Sequence, residues 1–168
     1  GIESMQSGDY EGALAAFDGA LACCTGKITD LEIDICYYKA AAQYAAQDTA
    51  GALETYNAMI DYDRKNANAY YLRGCLKLDT GDTDGAKQDF ADAVKYNHSD
   101  YELYINIYKN LAAYDLAEDG TAYLNDAFSI KGNDAESLAY RGEIYYLLGQ
   151  YDNAIKELTS AIDAGSAA

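Results

Sequence analysis

Proline and tryptophan are absent from this 168-residue chain, and histidine occurs once. Without proline, no helix can be started or stopped by a locked φ and a missing N–H, so helix ends must rely on polar caps and glycine. Cations are scarce: 12 Lys and Arg stand against 28 Asp and Glu, a net charge of −16. They are also scattered, and phosphate contacts need them clustered, which argues against nucleic acid and anionic membrane as partners. The acidity makes a self-repelling surface first and would favour a basic partner second. No apolar run approaches the roughly 20 residues of a membrane span, and no charged-then-apolar leader is present. The chain begins at Gly1 rather than Met, so a leader or anchor removed from that end would leave no trace. The compartment is unassigned.

Chemistry-bearing motifs are missing too. The four cysteines are Cys23, Cys24, Cys36 and Cys75, and none shows the paired Cys-x-x-Cys spacing of a zinc or redox site. A bridge from Cys23 or Cys24 to Cys36 is conceivable, but free, partly buried thiols are the favoured reading. His98 falls in a turn with no nucleophile placed by a recognisable motif. There is no EF-hand loop, zincin helix or phosphate-binding glycine loop. The expectation is no catalysis, no metal and no cofactor.

What remains is tyrosine, alanine and a period. Half the residues are apolar, and 18 Tyr against three Phe imply many half-buried rings whose hydroxyls reach water or a partner. Two amphipathic runs flank Gly149 within residues 135–162, with small residues at Gly142, Ala154 and Ala161. Two periods of 34 earlier the same pattern stands at Gly74, Gly81, Ala86 and Ala93, with Arg73 matching Arg141. Residues 101–134 keep Leu124 and Ala127 in register. Residues 33–66 keep Ala40, Ala52 and Tyr56, and Gly8 to Ala20 matches the second half of one copy.

On these residues the chain resembles tetratricopeptide repeat proteins over essentially its whole length. The copy at 67–100 carries the pattern best: Tyr70, Gly74, Ala86, Phe90 and Ala93 at repeat positions 4, 8, 20, 24 and 27. Position 32 departs from the family, being Arg64, His98, Gly132 or Ser166 and never proline. The resemblance implies an all-α solenoid of antiparallel helix pairs, A and B, forming a right-handed superhelix. The expected organisation is one domain, 1–168: a partial repeat 1–27, a five-residue insertion 28–32, and repeats 33–66, 67–100, 101–134 and 135–168. With most of its first A helix lacking and an apolar final helix, the chain reads as a fragment of a longer one, its uncapped ends open to self-association. Asn66, Ser99 and Asn133 are expected to cap A helices. Asp9, Asp82 and Asp115 are expected to cap B helices, and Thr29 with Glu32 an early-starting A helix.

Two pairings follow from comparing copies. Arg73 and Arg141 each have an acid sixteen positions on, Asp89 and Glu157, whereas Ile107 and Tyr123 replace both members in the divergent copy. Ion pairs bracing helix A to helix B are expected. Tyr108 occupies a position that is small elsewhere, and its counterpart Gly120 is smaller than usual, so Tyr108 is expected to fill the space Gly120 leaves.

The resemblance also implies an exposed, concave A-helix groove that binds protein or peptide. Carried over, its lining is Asp34, Tyr37, Tyr44, Asn68, Tyr71, Asp79, Glu102, Ile105, Lys109, Glu136, Glu143 and Tyr146, with Ala41, Cys75, Leu78, Ala112, Ala113 and Ala139 between them. Such a lining suits a segment offering basic and apolar groups. The carboxylate clamp of chaperone-adaptor members is not expected, because Tyr71, Cys75, Glu136 and Tyr140 stand where it needs amides and cations. The leading reading is a non-catalytic binding scaffold. The alternatives are a structural spacer or self-assembly module, or a part that positions substrate within a larger enzyme.

Overall fold

The computed structural model describes residues 1–23 and 29–166, so Cys24, with its conceivable bridge, and Ile28, which opens the expected insertion, lie outside the described residues. Ten helices appear among those described: α1 (Ile2–Gln6), α2 (Tyr10–Ala22), α3 (Asp30–Ala45), α4 (Thr49–Tyr62), α5 (Ala67–Asp79), α6 (Thr83–Tyr96), α7 (Tyr101–Ala113), α8 (Ala117–Ala127), α9 (Ala135–Leu147) and α10 (Tyr151–Ser166). Short turns fold A helices α3, α5, α7 and α9 back on B helices α4, α6, α8 and α10. The chain divides into two compact bodies, Gly1–Ala93 and Val94–Ala168.

Every A-to-B turn uses the same device. Gly8, Gln47, Gly81, Asp115 and Gly149 have φ of 78°, 64°, 82°, 61° and 72°, and all five fall at one repeat position. A left-handed residue there reverses the chain, and glycine adopts it without the Cβ clash that Gln47 and Asp115 must bear. The next residue then caps helix B. Asp9, Asp48 and Asp82 accept from the backbone N–H of Gly12, Gly51 and Gly85 at 3.0, 2.9 and 3.0 Å.

Three expected caps are corrected. Asp115 does not cap α8: it is itself the left-handed residue, and the cap position passes to Leu116, whose side chain cannot accept. Asp100 and Asp134, rather than Ser99 and Asn133, cap α7 and α9, accepting from Leu103 N–H at 3.2 Å and Ser137 N–H at 2.9 Å. They occupy the repeat position at which Asn66 caps α5, accepting from Ala69 N–H at 3.0 Å. At α3 the Thr29 N–H donates to the Glu32 carboxylate at 2.8 Å, and the helix begins at Asp30.

In the first body Ala40, Ala52, Tyr56, Met59, Ile60, Ala69 and Leu76 form the main core, and Ala13, Phe17 and Ala42 a smaller one. In the second, Tyr101, Tyr104, Ile105, Leu124, Ala127 and Ile144 do the same. Within each pair the helices touch at the small residues. A Cβ added to Gly74 would lie 3.3 Å from the Ala86 carbonyl oxygen and 2.7 Å from the Phe90 ring. At Gly142 the corresponding neighbours are the Ala154 carbonyl oxygen at 3.4 Å and Leu158 at 2.6 Å.

Candidate functional site

The two arginines are braces. Asp89 is only 2% exposed and receives Arg73 through Nε at 2.8 Å and Nη2 at 2.6 Å, with Lys77 Nζ at 2.9 Å. Two cations on one buried carboxylate supply the pairing that its desolvation requires. The Asp89 hydrogen bonds, set against burial, hold the Arg73 guanidinium above its usual pKa. Arg141 Nε donates to Glu157 at 3.1 Å, and its Nη1 donates to the Gly132 carbonyl, tying α9 to the turn before it. In the divergent copy Ile107 is buried at the position of the arginines and Tyr123 half-buried at that of the acids. Lys77 and the Arg73 Nη1 bond to Asn57, 2.6 Å, were not foreseen. Lys77 follows Arg73 by one helical turn, which was the signal available.

The A-helix faces carry the candidate lining, and the residues fall into three groups. Asp34, Asn68, Glu102 and Glu136 are exposed, and Tyr146 is 62% exposed with its ring against Tyr151, centroids 5.8 Å apart. A second group is tied to other side chains. Tyr37 Oη donates to Asn66 Oδ1 at 2.7 Å, joining α3 to the cap of α5, and burial pushes the Tyr37 hydroxyl pKa up. Tyr44 Oη donates to Asp79 Oδ2 at 2.5 Å, and Lys109 Nζ pairs with Glu143 at 2.8 Å. Tyr71 is half-buried against Phe90, centroids 6.1 Å apart. The third group is buried. Ile105, 2% exposed, belongs to the core of the second body, so it is withdrawn from the lining. Leu78 is buried likewise. Both side chains are apolar and point to the packed side of the A helix, a distinction that repeat position alone does not carry.

In the second body the exposed acids converge on a ring that was not among the expected lining. Tyr140 stacks on Tyr101 with centroids 5.6 Å apart and planes 16° from parallel. Tyr101 is anchored by donating its hydroxyl to the Ile130 carbonyl at 2.9 Å. Desolvation, then the charges of Glu102, Glu136, Asp100 and Glu143, raise the Tyr140 hydroxyl pKa. Asp100, Glu102, Asp134, Glu136 and Tyr140, with Lys131 beside them, line one open cleft. In the first body a smaller pocket of about 210 Å³ opens between α3 and α5, with Tyr44 and Asp79 at its mouth. Cys75 lines it, and burial pushes that thiol up to about 11. Cys23, Cys36 and Cys75 are free thiols. Among the described residues there is no group of three or more His, Cys, Asp or Glu that could hold a metal ion, and no helix long and apolar enough to cross a membrane.

Comparison with known proteins follows the same register. The tetratricopeptide repeat family profile matches residues 67–100 and 135–164, starting where two of the repeats start. No curated protein matches the sequence. A crystal structure of MamA is 18% identical and superposes with a TM-score of 0.57 over 98% of this chain and 93% of that one. TTC0263, a thermophilic tetratricopeptide protein of Thermus thermophilus, is 18% identical with a TM-score of 0.56, over 97% of this chain and 87% of its own. At such identities the likeness speaks for the fold. The two profile matches mark residues 67–100 and 135–164 as tetratricopeptide repeats, and the chain as a whole shares the all-helical fold of these solved structures.

Proposed function

We propose that the chain is a non-catalytic scaffold that binds a protein or peptide along its A-helix faces, preferring segments that carry basic and apolar residues. Tetratricopeptide repeats are in general protein-interaction modules rather than catalysts. The observation that carries the preference is the acid-ringed aromatic surface of α7 and α9. There Glu102 and Glu136 stay exposed around Tyr140, while Arg141 on the same helix is engaged with Glu157 and Gly132. Tyrosine supplies contact area with few rotors to freeze, and carboxylates supply steering and register. A random peptide library displayed on phage and selected on the immobilised chain tests this reading. Enrichment of Lys or Arg together with apolar residues supports it. Enrichment of acidic peptides, or none over a blank surface, counts against it.

Self-assembly is the second reading, favoured by α10. Tyr151, Ile155, Leu158 and Ile162 recur at helical spacing and are exposed, Ile155 at 65% and Ile162 at 69%. Sedimentation over a concentration series decides it: association abolished by Ile155→Lys supports an α10 interface, and a monomer throughout opposes it.

A further inference from the structure

The two bodies differ at one register position, and the difference makes a hole. Lys109 and Glu143 occupy the ninth position of their repeats on α7 and α9, and they meet as an ion pair at 2.8 Å. The same position on α3 and α5 holds Ala41 and Cys75, side chains too short to meet, and there the pocket of about 210 Å³ lies open. Its floor and walls are apolar: Leu72, Cys75, Leu76 and the ring of Tyr56. Burial pushes the Tyr56 hydroxyl to about 12 and the Cys75 thiol to about 11, so neither carries charge at neutral pH. The mouth is polar and anionic. Asp79 stands there with Tyr44 Oη on its Oδ2 at 2.5 Å, and the Tyr44 ring, 49% exposed, forms the lip.

We propose that this pocket anchors a single long cationic side chain, lysine or arginine, of a bound peptide, with its methylene stem in the apolar pocket and its charge at Asp79. An apolar sleeve with a carboxylate at the rim is complementary to a side chain that buries a hydrocarbon stem and keeps its charge at the water boundary. The lip adds the face of Tyr44, which attracts a cation. A neutral apolar residue would fill the sleeve but bring no charge to the Asp79 carboxylate. An acidic one would meet Asp79 and a chain of net charge −16. The anchor depends on the A-helix faces being the binding surface, and it locates the basic-residue preference in the first body.

The test is an NMR titration of the full chain with three capped pentapeptides, alike except for a central lysine, Nε-acetyl-lysine or glutamate among alanine and glycine. The lysine peptide is expected to move the Ala41, Cys75 and Asp79 amides saturably, and the other two to bind about fivefold more weakly or worse. Asp79→Asn, which removes the charge and keeps an oxygen to accept from the Tyr44 hydroxyl, is expected to bring lysine and acetyl-lysine to equal affinity. Cys75→Leu, checked for an unchanged amide spectrum elsewhere, is expected to abolish the response by filling the sleeve. Equal affinities in the wild type, or a lysine preference that survives Asp79→Asn, overturns the anchor. Saturable shifts confined to Glu102, Glu136 and Tyr140 overturn the anchor while leaving the A-helix reading standing, and no saturable shift anywhere overturns both.

Discussion

Tyr108 and Gly120 are in contact at the closest approach of α7 and α8: a Cβ on Gly120 would lie 3.0 Å from Tyr108 Cδ2 and 3.2 Å from the Tyr108 Cα. Elsewhere that crossing is made by Gly74 with Ala86, Gly142 with Ala154 or Ala40 with Ala52. Here a large ring stands where the other copies have a small residue, and glycine stands where they have alanine.

Gly120→Ala is therefore expected to destabilise the chain. Overpacking costs about 1–3 kcal/mol and the helix-propensity gain returns roughly 1 kcal/mol, leaving a net loss of about 1 kcal/mol. In a Tyr108→Ala background, which recreates the Ala40–Ala52 pairing, the same change should be neutral or stabilising. Urea unfolding of the four proteins in this cycle reads the coupling, and a stabilising Gly120→Ala in the wild-type background would refute it.

The left-handed turn position gives opposite signs at two sites. Gln47→Gly removes a Cβ from a φ of 64° and should stabilise by about 0.5–1 kcal/mol, whereas Gly81→Ala at 82° should cost roughly 1–2 kcal/mol. Thermal unfolding of both variants reads the signs.

The two braces differ in depth. Asp89→Ala leaves Arg73 and Lys77 facing an empty, buried site and should cost about 3 kcal/mol. Glu157→Ala opens a pair whose acid is 24% exposed and should cost about 1 kcal/mol or less. Equal losses in denaturant titration would contradict the burial argument.

Asp134 makes stability depend on pH. The Ser137 backbone N–H, then the Ser137 hydroxyl, hold its carboxyl below the usual 3.8. A depressed folded-state value favours the native state above the unfolded-state pKa, and the advantage is lost as pH falls through the folded value. The melting-temperature gap between wild type and Asp134→Ala should be full at pH 7 and close as pH falls below 3.8. A gap unchanged across that range would mean the cap acts through something other than the ionised carboxylate.

Much of the architecture was legible because packing repeats. The Arg73–Asp89 and Arg141–Glu157 pairs and the Tyr108–Gly120 exchange each left a matched change at a fixed offset, and each pair meets in space. Asn66, Asp9 and Asp82 cap where expected, but the caps of α7 and α9 were legible only to within a residue, since Ser99 and Asp100, or Asn133 and Asp134, are neighbours of like capability and only backbone direction separates them. Of the proposed A-helix lining, Asp34, Glu102 and Glu136 are exposed, whereas Ile105 is turned inward and Tyr37 is tied to Asn66. A repeat position gives the helix face, while the size and polarity of neighbours from other helices decide what reaches solvent. The pocket at Cys75 depends on two short side chains 34 residues apart, and its signal was the contrast with Lys109 and Glu143.

The central claim is that exposed acids on the A helices select a basic, apolar partner. Its most direct test is the Kd of one library-selected peptide, measured by calorimetry against wild type and a Glu102→Gln, Glu136→Gln variant at low and high salt. Both residues are exposed, so the fold should be untouched. The account predicts roughly tenfold weaker binding to the variant at low salt, with the difference shrinking as salt screens the charges. An unchanged Kd at low salt would contradict it.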